Sequence, residues 1–453
     1  MTVFKRKIYE RLLRWKETTR GSKALLVEGA RRIGKSTIVE EFARREYKSY
    51  LLVDFNTAGE AVRSAFELYL TDLDTFFLIL STAYGVRLHR RESLVIFDEI
   101  QRYPKARQAV KYLVADGRYD YIETGSLISI RENVRDITIP SEERRLAMYP
   151  MDFEEFAAAL GEEELTAYVR RCFEERRPLE QSLHARAMLL FRQYMIVGGM
   201  PRSVAAYVEN DRSFEAADAE KRDVLALYRN DIMRIDATYR SRVQALYDQI
   251  PAFLSRAEKR VVLNGLGGGG GFPKYHDTFF WLADSMIVNE CFNCADPNVG
   301  LSLNEDRTYV KCYMGDTGLL VSHAFDENDV ADGELYRELL FGKLSTNEGM
   351  LYENVVAQML VAAGHKLYFY IRYNEEKHRN DIEIDFLLSN NSKLKYKIYP
   401  VEVKSSDRYS VTSLLRFREI FGRRVGGCYV IHPKNLRVEG DVTYLPVYMT
   451  CCL

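Results

Sequence analysis

Ala24-Leu25-Leu26-Val27 is a short apolar run, followed at once by Gly29-Ala30-Arg31-Arg32-Ile33-Gly34-Lys35-Ser36, and a helical pattern begins near Lys35. The second run fits G-x-x-x-x-G-K-S/T at every fixed position. Few short stretches restrict a fold as much. Two glycines let the backbone curl until successive N–H groups converge on one point, and a helix starting there adds the positive end of its dipole. The product is a cradle for phosphate oxygens. Amides between Gly29 and Gly34, those of Arg32 and Ile33 included, line it. Lys35 is then placed to reach the β- and γ-phosphates of ATP, the Ser36 hydroxyl to ligate Mg2+, and Thr37 to lie nearest the outer phosphates or the base. The side chains of Arg31 and Arg32 either touch phosphate or face water. A glycine turn with a solvated lysine is the alternative, and the setting between strand and helix weighs against it.

Further apolar runs at Tyr50–Val53 and Leu94–Phe97 each close on an Asp; Tyr119–Thr124 reads as a fourth strand and Leu146–Met151 as a fifth. Continuous apolar runs between helical patterns are what a parallel sheet buried on both faces requires. Roughly the first 150 residues therefore read as an α/β domain. Asp98-Glu99 supplies the acidic end of a strand about 70 residues after the glycine loop. There Asp98 would hold Mg2+ and Glu99 would polarise the water that attacks the γ-phosphate. Such a carboxylate argues for hydrolysis and against a kinase for a small metabolite. Thr124 and Ser126 either sense the γ-phosphate or form a plain strand-end turn. Arg144 and Arg145 are candidates for an arginine finger, in cis or from a neighbouring subunit of a homo-oligomer, or are simply solvated.

The remaining chain is long. At roughly 150 residues per domain, 453 residues imply about three domains. Hydrophobic residues at 47% and charged residues at 28% leave ample apolar surface to bury, which argues against general disorder. A net charge of −1 advertises neither a nucleic-acid binder nor a membrane-surface protein. The first twenty residues lack the apolar core of a signal peptide, and no stretch approaches the ~18–20 apolar residues of a membrane helix. A cytoplasmic location without membrane contact is expected. Seven cysteines are too sparse for a disulfide scaffold, and Cys291-Phe-Asn-Cys294 has metal-ligand spacing but no second pair. Free thiols are the simpler reading. Phe4–Lys16 is an amphipathic helix, and Phe153 to about Leu263 is almost wholly helical apart from Gly198-Gly199-Met200-Pro201. Five consecutive glycines, Gly267–Gly271, mark a loop or linker. A helix near Met350–Ala362 and strand-like runs at Leu367–Ile371, Ile384–Leu388, Ile398–Val403 and Cys428–Ile431 follow. The breaks divide the chain into 1–152, 153–263, 264–345 and 346–453.

Near the end, Asp381-Ile-Glu-Ile-Asp385-Phe-Leu-Leu and Pro400-Val-Glu402-Val-Lys404 read as neighbouring strands. Alternation puts Glu402 and Lys404 on one face, with Val401 and Val403 toward the core. If the strands pair, Asp385 approaches Glu402, the two carboxylates hold a divalent metal, Lys404 orients or deprotonates the attacking water, and Glu353 adds a third carboxylate. The pattern is that of D…(D/E)-x-K metal-dependent nucleases. A solvated strand edge is the competing reading. Between Lys393 and Arg424 nine basic residues face only Glu402, Asp407 and Glu419, a patch that suits DNA or RNA phosphates or is merely a solvated face. Leu367-Tyr-Phe-Tyr370 could stack bases but reads better as a buried strand.

Gly29–Thr37, Asp98-Glu-Ile-Gln101, Thr124-Gly-Ser126 and Tyr149-Pro-Met-Asp-Phe-Glu-Glu-Phe156 together resemble a family of prokaryotic AAA-type ATPases whose C-terminal half is a domain of unknown function. Gly198-Gly199-Met200-Pro201 and the closing Glu-x-Lys segment match it too, so the resemblance covers nearly the whole chain. It implies an additional-strand P-loop sheet over 1–152, a helical lid-like region over 153–263, a winged-helix-like connector over 264–345, and a restriction-endonuclease-like α/β domain over 346–453. Two readings of the whole follow. In one, an Mg2+-dependent ATPase moves a nuclease-like module on nucleic acid. In the other, the nucleotide is a switch and the terminal domain only binds a partner.

Overall fold

The computed structural model describes residues 3–125, 141–256, 259, 261, 279, 281–325, 333–341, 348–374, 376, 379–390, 397–406 and 408–453. The glycine run, Ser126, Lys393, Lys395 and Asp407 lie outside them. The chain divides into two compact units: Met1–Tyr149 with Asp284–Met286, and Pro150–Ala283 with Ile287–Leu453.

The first unit is built on five strands, β1 (Ala24–Glu28), β2 (Ser49–Asp54), β3 (Ser93–Asp98), β4 (Asp120–Gly125) and β5 (Glu143–Ala147), in the order β2-β3-β4-β1-β5. All neighbours are parallel. β4 thus lies between β1 and β3, which is the additional-strand arrangement expected above. Helices α1 (Ile8–Thr19), α2 (Lys35–Glu46), α3 (Glu60–Leu68), α4 (Leu73–Tyr84) and α5 (Pro104–Asp116) accompany the sheet. Alternation along the strands supplies both faces: Val95 and Phe97 of β3 join Leu26, Leu51, Val53 and Tyr121 in one core with Phe55, Phe66 and Phe76. Each such side chain contributes about 1.5–3 kcal/mol on full burial. The fifth strand begins and ends earlier than its apolar residues suggest. Arg144 and Arg145 pair in register with Leu25 and Leu26, so this edge strand is polar and reads poorly as a strand.

The second unit opens with α6 (Phe153–Ala159), whose Asp152 and Glu155 form a reciprocal capping box. Helices α7 (Glu163–Glu174), α8 (Gln181–Val197), α9 (Pro201–Glu209), α10 (Phe214–Ile232) and α11 (Ala237–Ser255) follow. Gly198-Gly199-Met200 joins α8 to α9, and its glycines have a steric cause. A Cβ on Gly198 would stand 2.2 Å from Asp316 Oδ1, and one on Gly199 would stand 2.1 Å from the Met151 carbonyl oxygen. Asp316 is buried, caps α12 (Thr317–Ala324) by accepting from Leu319 N, and also accepts from Gly199 N at 2.6 Å and Gln358 Nε2 at 3.2 Å. Met151 N in turn donates to Gly199 O at 2.7 Å. Helix α13 (Gly333–Leu340) precedes the terminal region.

Two sheets complete the unit. One has the order β7-β6-β8-β9, from β6 (Val288–Cys294), β7 (Glu305–Met314), β8 (Leu367–Asn374) and β9 (Arg379–Ile384). The other runs β10-β11-β12-β14-β13, from β10 (Phe386–Asn390), β11 (Lys397–Val403), β12 (Cys428–His432), β13 (Arg437–Glu439) and β14 (Val442–Pro446). Helix α14 (Glu348–Ala362) is buried along most of its length, and α15 (Thr412–Phe421) covers a core containing Tyr370, Ile384, Leu387, Ile398 and Val430. The acidic run that reads as one strand is broken at Asp385, and its halves belong to different sheets. Tyr368 and Tyr370 are buried on β8, so the Tyr-rich stretch is core. Among the described residues no helix is long and apolar enough to cross a membrane.

Candidate functional site

β1 is apolar because both its faces are covered, and the chain must turn sharply where it ends. Gly29 makes that turn: a Cβ there would lie 2.4 Å from Ile33 Cδ1 and 2.5 Å from the Met148 carbonyl oxygen. Arg32 at φ 68° and Gly34 at φ 90° adopt left-handed backbone, which curls the loop back on itself. Helix α2 starts at Lys35 with no side chain capping its first turn, so those amides remain available to an anion. The Lys35 ammonium is buried and donates to the carbonyls of Gly29 at 3.0 Å and Ala30 at 2.8 Å. Burial lowers its pKa to about 8, against the opposing pull of Glu99 and Asp98. Thr37 is half-buried on the next position of the helix, while Arg32 is exposed.

Three elements meet at the end of β3. Ser36 Oγ donates to Asp98 Oδ1 at 2.7 Å, and Thr124 Oγ1, from β4, hydrogen-bonds to the same oxygen. Glu99 follows in left-handed backbone (φ 53°) and accepts from Gln101 Nε2. All of Gly29, Arg32, Ile33, Gly34, Lys35, Ser36, Thr37, Asp98, Glu99 and Thr124 therefore lie on the loop or on the strand ends and helix start beside it. The finger candidates sit on β5, where both are exposed and Arg145 Nε donates to Glu143 at 3.3 Å.

Two roles escape sequence reasoning. The buried Arg6 guanidinium donates from Nη1 to the Ile33 carbonyl at 3.0 Å and from Nη2 to the Tyr149 carbonyl at 2.6 Å, bracing the loop from outside. In sequence it is one basic residue among many at the start of an amphipathic helix. Gln101 is buried and holds Glu99; it ends the Asp98–Gln101 motif quoted above, which assigned it no role.

Residues 21–157 match the family model described as an AAA domain. These residues form an AAA domain. Beyond the AAA domain, residues 188–329 and 348–450 match two families described only as domains of unknown function. A search of curated proteins returns no match. Similar solved structures include the Walker-type ATPase paby2304 of Pyrococcus abyssi, at 16% identity and a TM-score of 0.39, covering 71% of this chain and 96% of that one. Cdc6p from Pyrobaculum aerophilum (10% identity, TM-score 0.29, 74% and 93% covered) is another. A third is the Thermotoga maritima RuvB Holliday junction branch migration motor, with 11% identity, a TM-score of 0.24, and 63% and 89% covered.

In the second unit the terminal carboxylates gather around lysines. Asp385 Oδ2 accepts from Val403 N at 2.8 Å, just past the pairing of Phe386 with Val401. Lys311 Nζ, from β7, stands 3.3 Å from Glu353 Oε1, 3.4 Å from Glu383 Oε1 and 3.8 Å from Asp385 Oδ1. Glu353 also receives Lys259 Nζ and the Tyr313 hydroxyl. Burial alone would raise the Glu353 pKa, but Lys311 and Lys259 prevail and hold it near 2. Lys404 Nζ lies 2.8 Å from Glu402 Oε2. Glu402 is 1% exposed, so β11 has no solvated face here, and burial pushes its carboxyl up to about 7 despite that lysine. Burial, then the Glu353 charge, raises Asp385 too. Among the described residues, no three His, Cys, Asp or Glu side chains are grouped to hold a metal ion. Cys291 and Cys294 are buried free thiols on β6. Several cations of the basic patch are already engaged: Arg418 with Asp441, Arg424 with Asp296, and Arg416 with the Asp381 carbonyl at 3.3 Å.

Proposed function

We propose that the protein is an Mg2+-dependent ATPase whose nucleotide state governs a nuclease-like terminal domain, and that this domain binds its partner rather than cutting it. The observation that carries the first part is the convergence of the Ser36 and Thr124 hydroxyls on Asp98 Oδ1 beside an uncapped helix start. A hydroxyl and a carboxylate so joined are hard oxygen donors suited to Mg2+, and Gly29 lets the loop pass against Ile33 and the Met148 carbonyl where any Cβ would collide. Bound there, Mg2+ would neutralise charge on the β- and γ-phosphates. The amides of residues 29–34 would hold the phosphates, with Thr37 toward their outer edge. Lys35 would exchange the Gly29 and Ala30 carbonyls for phosphate oxygens. Glu99, oriented by Gln101, would accept the proton of the attacking water, and Thr124 would register the γ-phosphate.

The second part is favoured by Lys311. A metal-dependent nuclease needs Asp385 and Glu402, with Glu353, free to coordinate a metal while Lys404 handles water. Here those carboxylates are engaged by ammonium groups, which supports the switch reading over cleavage. DNA or RNA is the partner class that the basic residues of 393–424 suit.

The test is phosphate release from Mg2+-ATP by the full chain, with and without DNA, beside Glu99→Gln. Turnover that is abolished by Glu99→Gln and raised by DNA supports the account. Turnover untouched by Glu99→Gln refutes the hydrolytic site, and indifference to DNA refutes DNA as the partner.

A further inference from the structure

The terminal domain keeps four carboxylates, Glu353, Glu383, Asp385 and Glu402, close to three lysines, Lys259, Lys311 and Lys404. Lys311 holds the central place. It comes from β7, opposite Cys291 of β6, and its ammonium passes 5.1 Å from the centre of the Phe369 ring to end among three acids. It is 1% exposed. We propose that Lys311 is the built-in cation of this cluster and excludes a divalent metal from it. The inference rests on the reading of the terminal domain as a non-cutting module and gives that reading its cause.

Buried carboxylates demand a compensating positive charge, because an unpaired buried charge is strongly destabilising. An ammonium from the chain or a divalent ion can meet that demand, but both among the same few carboxylates repel each other. Coordination also needs several oxygens turned to a common point at about 2.0–2.1 Å for Mg2+. The carboxylates here do not turn to a common point. Glu353 takes Lys259, Lys311 and the Tyr313 hydroxyl, Asp385 takes the Val403 amide and stands 3.8 Å from Lys311, Glu383 lies 3.4 Å from Lys311, and Glu402 is ion-paired with Lys404 although its buried oxygens accept no hydrogen bond among the described residues. A lysine arriving from a different strand and sheet than the Glu402–Lys404 segment is not part of the acidic sequence pattern, so the pattern alone suggests a metal site that this residue fills.

The decisive experiment is Mn2+ titration of the full chain without nucleotide, followed by calorimetry and by the Mn2+ electron paramagnetic resonance signal, in wild type, Asp385→Asn, Lys311→Met and the double variant. Weak binding at the phosphate loop is common to all four and cancels. Wild type and Asp385→Asn should titrate alike. Lys311→Met should gain one Mn2+ site at least tenfold tighter than anything in wild type, and the double variant should lose it. A wild-type Mn2+ site that Asp385→Asn removes overturns the proposal, as does a folded Lys311→Met that gains nothing. Should Lys311→Met fail to fold, the wild-type and Asp385→Asn pair decides by itself. Because no nucleotide is present, failure here leaves the ATPase reading intact, and Mg2+-dependent cleavage of plasmid DNA by the wild-type chain, assayed beside it, decides the non-cutting reading separately.

Discussion

Ser36 Oγ donates a 2.7 Å hydrogen bond to Asp98 Oδ1, 62 residues further along the chain. The bond ties the first turn of α2 to the tip of β3, and Thr124 closes it from β4. The order β3-β4-β1 brings these three termini to one end of the sheet, so topology and chemistry agree on where a phosphate would sit.

Glu99→Gln should separate binding from chemistry. Losing a general base lowers turnover by about 10²–10⁴-fold. Nucleotide affinity should change little, since the amide keeps the shape and the Gln101 contact. Single-turnover phosphate release alongside equilibrium ATP binding measures both.

Arg6→Met should loosen the loop without touching its sequence. Two charge-assisted hydrogen bonds to backbone carbonyls are lost, each worth roughly 1.5–3 kcal/mol. Urea unfolding should show a loss of a few kcal/mol, and ATP affinity should drop about tenfold. Unchanged affinity would mean that the brace is only structural.

Gly199→Ala should be severe in the second unit. The added Cβ meets the Met151 carbonyl oxygen at 2.1 Å, where backbone faces backbone and cannot yield cheaply. Overpacking of this kind costs about 1–3 kcal/mol or more. Asp316→Ala should cost a similar amount by leaving the Gly199 and Leu319 amides without their acceptor. Thermal melting of each variant checks this.

His432 sets an acid limit. It is fully buried, with Nδ1 against the Tyr409 hydroxyl at 2.7 Å, and burial, helped by Arg437 and Lys434, lowers its pKa from 6.5 to about 4. A histidine kept neutral in the fold contributes stability above pH 6.5, and the contribution is lost as pH falls toward 4 because the unfolded chain takes the proton first. The full shift corresponds to about 3 kcal/mol. Denaturant midpoints between pH 7 and 4 should fall less steeply in His432→Gln than in wild type.

The phosphate loop and the strands β1, β3 and β4 were legible because their residues are locally determined: apolar runs buried on both faces, and glycines where the chain must curl. β5 was displaced because an edge strand tolerates Arg144 and Arg145. The break at Asp385 was hidden because alternation continues through it, and only pairing in two sheets reveals it. Gly198-Gly199 stood out as a breaker, yet its cause, the approach of Asp316 and Met151, is tertiary. Arg6 and Lys311 were illegible for one shared reason. Each acts on a distant segment through a long side chain, and nothing in the adjoining sequence marks a lysine or arginine that will be buried.

The central claim is that the loop from Gly29 to Ser36 holds the triphosphate of ATP with Mg2+. Calorimetric titration of the full chain with Mg2+-ATP, beside Lys35→Ala, tests it most directly. The account predicts one ATP per chain for the wild type and affinity at least a hundredfold weaker for Lys35→Ala, with melting curves showing both folded. No heat of binding in folded wild type, or equal affinity in the two, would contradict it.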